Sequence, residues 1–208
     1  TKMSYTYRDT DDNLASIGGT SIWDSAIYLS PLIAADAVTN PLSTSGAKIT
    51  MPTYSIAEKV RNTIRSMFNI VGYAQAKLHK RLQFRTQVSF FRFDRNKYQY
   101  DPSTLPSRED GLGGKAYREY YTENKFNWDN TLTFTKTFAK RHGLKVMVGS
   151  AYYGFTNGAF SLSGQGYMVD ETKWNNMNAV LDKNTYTAST SAQDKHTLSF
   201  FTRLNYDY

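Results

Sequence analysis

The sequence predicts an all-β chain whose strands form a section of an antiparallel transmembrane β-barrel, and three observations point there. Apolar and polar side chains alternate with a period of two over runs far longer than the five or six residues of an ordinary strand. The connectors between these runs alternate between very short and very long. No stretch approaches the ~18 to 20 consecutive apolar residues of a membrane-crossing helix, so any crossing must be made by strands.

The alternation is clearest in two runs. Between 126 and 138 the even positions hold Phe126, Trp128, Asn130, Leu132, Phe134, Lys136 and Phe138, while the odd ones hold Asn127, Asp129 and four threonines. Between 196 and 208, His196, Leu198, Phe200, Thr202, Leu204, Tyr206 and Tyr208 alternate with Thr197, Ser199, Phe201, Arg203, Asn205 and Asp207. Successive strand side chains leave opposite faces, so each run has one apolar and one polar face.

The same period locates about six long strands, near 2–8, 62–78, 82–98, 118–138, 144–155 and 195–208. The first sets Met3, Tyr5 and Tyr7 against Ser4 and Thr6. The second sets Ile64, Phe68, Ile70, Ala74 and Leu78 against Thr63, Arg65, Asn69, Gln75 and Lys77. The third sets Leu82, Phe84, Val88 and Phe90 against Gln83, Arg85, Gln87 and Ser89. Hairpin-sized connectors, 79–81 and 139–143, join the second strand to the third and the fourth to the fifth. The connectors 9–61, 99–117 and 156–194 are long loops. Antiparallel strands reverse at each connector, so every short turn falls at one end and every long loop at the other. Outer-membrane barrels show this asymmetry, with periplasmic turns and extracellular loops. Within the first loop, 22–37 predicts one or two short helices interrupted by Pro31.

Charge placement fits the same picture. A ~25 Å apolar band needs about ten residues per tilted strand. Arg92 and Lys136 fall at its ends, and Arg65, Arg85, Lys145 and Arg203 fall on the polar face. Asn130 is the exception, an amide on the apolar face well inside the band.

Composition narrows the function. With 208 residues and 40% hydrophobic content the chain forms a single segment with no internal boundary. A mean hydropathy of −0.56 suits a barrel, because only alternate strand residues meet lipid. The chain has no cysteine, which excludes disulfides, thiolate metal sites and thiol nucleophiles. Its net charge of +7 is scattered over the strands, so no nucleic-acid partner is expected. Residues 1–8 are polar and do not read as a signal peptide.

Chemistry is not expected either. His79, His142 and His196 sit in or next to turns, two of them in Lys/Arg clusters that supply no orienting carboxylate, and no serine, histidine and acid share a strand end. Asp9, Asp11, Asp12 and Asn13 lack the glycine turn and bidentate glutamate of a calcium loop. The glycines at 111–114 and 164–166 do not follow a strand and open a helix, as a phosphate loop requires. No catalytic residue, metal or cofactor is therefore assigned. Tyr98, Tyr100, Tyr117, Tyr120 and Tyr121 flank one long loop, and Trp174 precedes two asparagines in the longest. Such rings belong to an interfacial aromatic girdle or stack on a bound sugar. Girdle placement is the simpler reading. Tyr98, Tyr100, Tyr120, Tyr121 and Trp174 are the candidates for substrate contact.

The run LTFTKTFAKRHGLKVMVGSAYYGF over 132–155, a glycine-bearing loop, and LSFFTRLNYDY over 198–208 resemble the barrel of the SusC/RagA family of TonB-dependent outer-membrane transporters. Asn40-Pro41-Leu42 and Phe84-Arg85 also look like family positions, and the resemblance covers about 40–208. It implies a 22-stranded barrel closed by an N-terminal plug, in the outer membrane of a Gram-negative bacterium. Such a transporter imports glycan or oligopeptide nutrients, with a SusD-like lipoprotein as lid and TonB acting through the plug. This chain has no plug and only about six strands, which cannot close a barrel by themselves. It is therefore expected to be a mid-barrel portion of an importer and not an enzyme. Two alternatives stay open. One is a complete small outer-membrane barrel of about eight strands, with Tyr206-Asp207-Tyr208 as its assembly signal. The other is a soluble all-β glycan-binding or adhesin module whose apolar face packs against a second sheet.

Overall fold

The computed structural model describes residues 1–11, 39–40, 49–50, 52–105, 113–139 and 141–208. In chain order the elements are β1 (Lys2–Asp11), β2 (Thr39–Asn40), β3 (Ile49–Thr50), helix α1 (Pro52–Glu58), β4 (Val60–His79), β5 (Leu82–Asp101), β6 (Gly114–Phe138), β7 (His142–Tyr167) and β8 (Thr187–Asp207). Six strands form one antiparallel sheet in the order β1-β4-β5-β6-β7-β8, and β2 pairs with β3 in a separate ribbon. The helix expected over 22–37 lies outside the described residues. No described helix is long and apolar enough to cross a membrane.

The strands are longer than the alternation suggests. β7 runs on to Tyr167 and β8 starts at Thr187, where the pattern had stopped at 155 and restarted at 195. The added stretch pairs without interruption from Phe155↔Lys195 to Ser163↔Thr187. Small and polar residues, among them Gly158, Ser161, Ala188 and Ser191, leave only Phe160 and Leu162 to mark an apolar face there, so pairing with the neighbour decides it. The loops 99–117 and 156–194 shorten accordingly to 102–113 and 168–186. The 25 residues of β6 reach roughly 80 Å at ~3.3 Å each, far more than a bilayer needs.

The register carries the apolar face across all six strands. Ile70, Phe90, Phe126, Gly154 and His196 lie in one row, with Met3 of β1 opposite Ile70. The following rows are Gly72-Val88-Trp128-Tyr152-Leu198, Ala74-Thr86-Asn130-Ser150-Phe200, Ala76-Phe84-Leu132-Val148-Thr202 and Leu82-Phe134-Val146-Leu204. Polar rows close the band, with Arg92-Asn124-Thr156-Asp194 at the loop end and Lys136-Leu144-Tyr206 at the turn end. Asn130 thus lies between two small polar residues, Thr86 and Ser150, on the neighbouring strands. The neighbouring Trp128 indole donates to Thr86 Oγ1 at 3.0 Å.

Nothing packs on this band among the described residues. Phe200 is 78% exposed and Leu204 68%. The buried apolar side chains, Tyr100, Leu105, Ala116, Tyr167 and Val180, all gather at the loop end. There residues 168–186 fold back as a strap of three 3-10 turns, Asp170–Asn175, Met177–Ala179 and Lys183–Thr185. A register shift at Gly114/Lys115 puts Tyr167 opposite Gly114, and Gly166 takes the positive φ of 101° that this bulge requires. Gly164 lets the strap approach, since a Cβ there would lie 2.8 Å from the Tyr186 ring.

Candidate functional site

Opposite the strap, on the polar face of β5, β6 and β7, odd-numbered residues build a continuous array of charges and rings. Arg95 donates to Glu119 Oε1 from Nη2 at 2.5 Å and from Nε at 3.1 Å. The Tyr117 hydroxyl donates to Glu119 Oε2 at 2.6 Å. One turn of the pleat away, Glu123 receives the Tyr121 hydroxyl at 2.8 Å and the Lys125 ammonium at 2.6 Å.

Rings interleave with these ions. The Arg95 guanidinium lies 5.2 Å from the centre of Tyr121, and the Lys97 ammonium 5.9 Å from that of Tyr117. Lys125 lies 5.3 Å from Phe91 and 5.8 Å from Phe155. Cations over aromatic faces are held by the ring quadrupole as well as by their carboxylates. Burial alone would raise the Glu119 carboxyl. The hydrogen bonds from Tyr117 and Arg95 outweigh it and hold the pKa below the ordinary value. The surface therefore offers donors, acceptors and flat apolar faces side by side, a chemistry suited to holding a mixed polar and apolar chain loosely.

The structure separates the residues singled out from the sequence. Tyr121 alone joins this array, next to Tyr117. Tyr98, Tyr100 and Tyr120 lie in the rows that continue the apolar face beyond Arg92. Tyr98 meets Trp174 of the strap at 5.6 Å, and the Arg118 guanidinium lies 5.2 Å from the Tyr98 ring centre. Tyr100 is 1% exposed, donates to Asp170 Oδ1 at 2.6 Å and stands edge-on to Tyr167 at 5.8 Å. Burial, and then the Asp170 carboxylate, push its pKa up, so its hydroxyl is committed to anchoring the strap. Tyr120 donates to Asp94 Oδ1 at 3.0 Å, and Asp94 also takes both hydrogen bonds of Arg92, at 2.8 and 3.1 Å. Reading the sequence by its loops passed over Arg95, Glu119, Glu123 and Lys125. The signal was present in the odd positions 115–125, which read Lys, Tyr, Glu, Tyr, Glu, Lys.

No protein-family model matches the chain, and no curated protein sequence does. Solved structures do. The RagAB peptide importer in its open-open state superposes with a TM-score of 0.79 at 16% identity, over 99% of this chain and 23% of that one. The closed-closed state gives 0.73 at 17% identity, over 83% and 19%. A further RagAB peptide transporter structure gives 0.74 at 17%, over the same shares. The sheet is similar in fold to a section of RagAB. This chain spans about a fifth of the length of those chains, and at such identity the likeness is one of fold.

Proposed function

We propose that this chain is a wall section of a SusC-like, TonB-dependent importer in the outer membrane of a Gram-negative bacterium. Its apolar face lies against outer-membrane lipid and its polar face lines a water-filled passage. The observation that carries this reading is the band itself. Five rows of apolar-face residues cross the sheet, bare among the described residues and closed at both ends by charged rows. In water such a band is an aggregation liability, whereas against hydrocarbon it is the required surface. The superposition on RagAB supports the same reading.

In this role the wall binds and guides without performing catalysis. The array around Arg95, Glu119, Tyr121 and Lys125 suits an oligopeptide, which carries both charges and apolar side chains, and glycan is the second substrate class. A SusD-like lipoprotein serves as lid over the loop end, and TonB acts through a plug carried elsewhere in the polypeptide.

The test is single-cysteine labelling of the full-length protein in lipid vesicles, comparing Leu198→Cys on the apolar face with Ser199→Cys on the polar one. A water-soluble maleimide is expected to modify Ser199→Cys and to spare Leu198→Cys, which instead takes up an apolar fluorescent reagent and reports a hydrocarbon environment. Equal aqueous labelling at the two positions overturns the reading.

A further inference from the structure

Above the band, the apolar face carries a hollow of about 370 Å³ between the sheet and the strap, lined by Asn96, Arg118, Tyr120, Phe160, Leu162 and Met177. Glu119 also borders it. The Glu119 carboxylate, however, is held on the opposite face by Arg95 and Tyr117. Its volume lies within the range of small-ligand pockets, ~300–1,000 Å³.

The charges around the hollow are unevenly satisfied. Asp94 is neutralised by Arg92 and also takes the Tyr120 hydroxyl. Asp170 is held by Tyr100 and Ser103. Arg118, among the described residues, makes no ion pair. Its partner is the Tyr98 ring, which also meets Trp174. A guanidinium so placed presents a planar fork of donors that matches a carboxylate or phosphate. Beside it stand the amide of Asn96, the Tyr98 and Trp174 rings, and an apolar floor. Together these are the groups that hold an anionic sugar.

Position identifies the source of that sugar, and this step rests on the membrane reading above. Asn124 marks the edge of the band, and Arg118 lies six residues further along β6. Six residues reach ~20 Å along the strand and about 15 Å along the membrane normal at barrel tilt. Phospholipid headgroups occupy only ~5–8 Å beyond the hydrocarbon. A site at this height on the outer wall is reached by the extended saccharide headgroup of an outer-leaflet glycolipid and not by a phospholipid. We propose that this hollow, with Arg118 and Asn96 in its lining and the Tyr98 and Trp174 rings beside Arg118, binds the anionic inner sugars of lipopolysaccharide.

The experiment titrates the full-length protein in detergent with purified rough lipopolysaccharide, and separately with phosphatidylglycerol, and reads occupancy by native mass spectrometry. Arg118→Gln is expected to bind lipopolysaccharide about ten-fold more weakly, the scale of one hydrogen bond to a charged group, and Arg118→Lys to recover part of the loss. Phosphatidylglycerol occupancy is expected to be the same in all three proteins. Equal lipopolysaccharide binding by Arg118→Gln and the parent protein overturns the proposal. So does a phosphatidylglycerol affinity that falls equally with the substitution. The Leu198→Cys labelling repeated in the Arg118→Gln background separates the two levels. A lipid-shielded Leu198→Cys with unchanged lipopolysaccharide binding removes the sugar site alone, and aqueous labelling there removes the membrane reading as well.

Discussion

Between the hairpin turns and the Arg92 row, the sheet is a single layer with an exposed apolar face and a polar face of threonines, amides and charges such as Arg85, Asp129 and Arg203. Beyond that row the same strands acquire a strap on one face and an ion-pair array on the other, and among the described residues every buried apolar side chain lies there. The turn-side half has a continuous backbone ladder, but among the described residues no layer buries its Phe, Leu and Val side chains. The loop-side half is held as a water-soluble domain is held, by packing of Tyr100 and Tyr167 and by hydrogen bonds to Asp170. On the proposed membrane reading, one set of strands meets two solvents, and the composition of each face changes where the solvent changes.

The contrast is broken most severely by placing a charge in the band. Leu132→Arg sets a guanidinium near the middle of the apolar face and is expected to cost about 2–4 kcal/mol, enough to block assembly. Thr133→Arg, one residue on and on the polar face, is expected to stay within ~0.5 kcal/mol. Heat-modifiable gel mobility of the full-length protein distinguishes them, and equal behaviour of the pair would remove the two-solvent account. A smaller effect is expected from Tyr100→Phe. It keeps the ring in place but leaves Asp170 with Ser103 alone, at a cost of about 1–2 kcal/mol for a half-buried partner. Limited proteolysis should then cut within 168–186 sooner while the hairpin turns stay resistant, and an unchanged cleavage rate would show that the strap is held otherwise.

The smallest effect concerns the polar array. Because the folded pKa of Glu119 is depressed, its stabilising contribution is fully present above the unfolded carboxylate value near ~4.3. It is lost as the pH falls through the lower folded value. Glu119→Gln is expected to cost about 0.5–1 kcal/mol at pH 7, the scale of a partly exposed pair, and to remove that acid-side loss. Hydrogen exchange at the loop ends of β5 and β6 checks it, and an unaltered pH response in the variant would place the acid sensitivity elsewhere.

How much was legible varies along the chain for a physical reason. Where Phe126 to Phe138 alternate strongly, the face of each residue can be read from the sequence, because a side-chain period of two is a property of the single strand. Where 187–194 are small and polar and 156–163 offer only Phe160 and Leu162 as large apolar residues, the contrast is too weak to read, and the neighbouring strand decides that they are paired. The candidate tyrosines divide between the faces for a related reason. Tyr98, Tyr100, Tyr120 and Tyr121 are close in sequence, yet alternation sends Tyr121 to one face and the other three to the opposite one.

The sequence by itself determined the strand class, the apolar face and the placement of short turns at one end, since each follows from local spacing. The tertiary structure alone decided where the strap lies, which tyrosine is buried beneath it, and that Arg95 and Glu119 meet across two strands. Those contacts join residues 24 to 76 positions apart, and no local period encodes which distant partner a side chain will find.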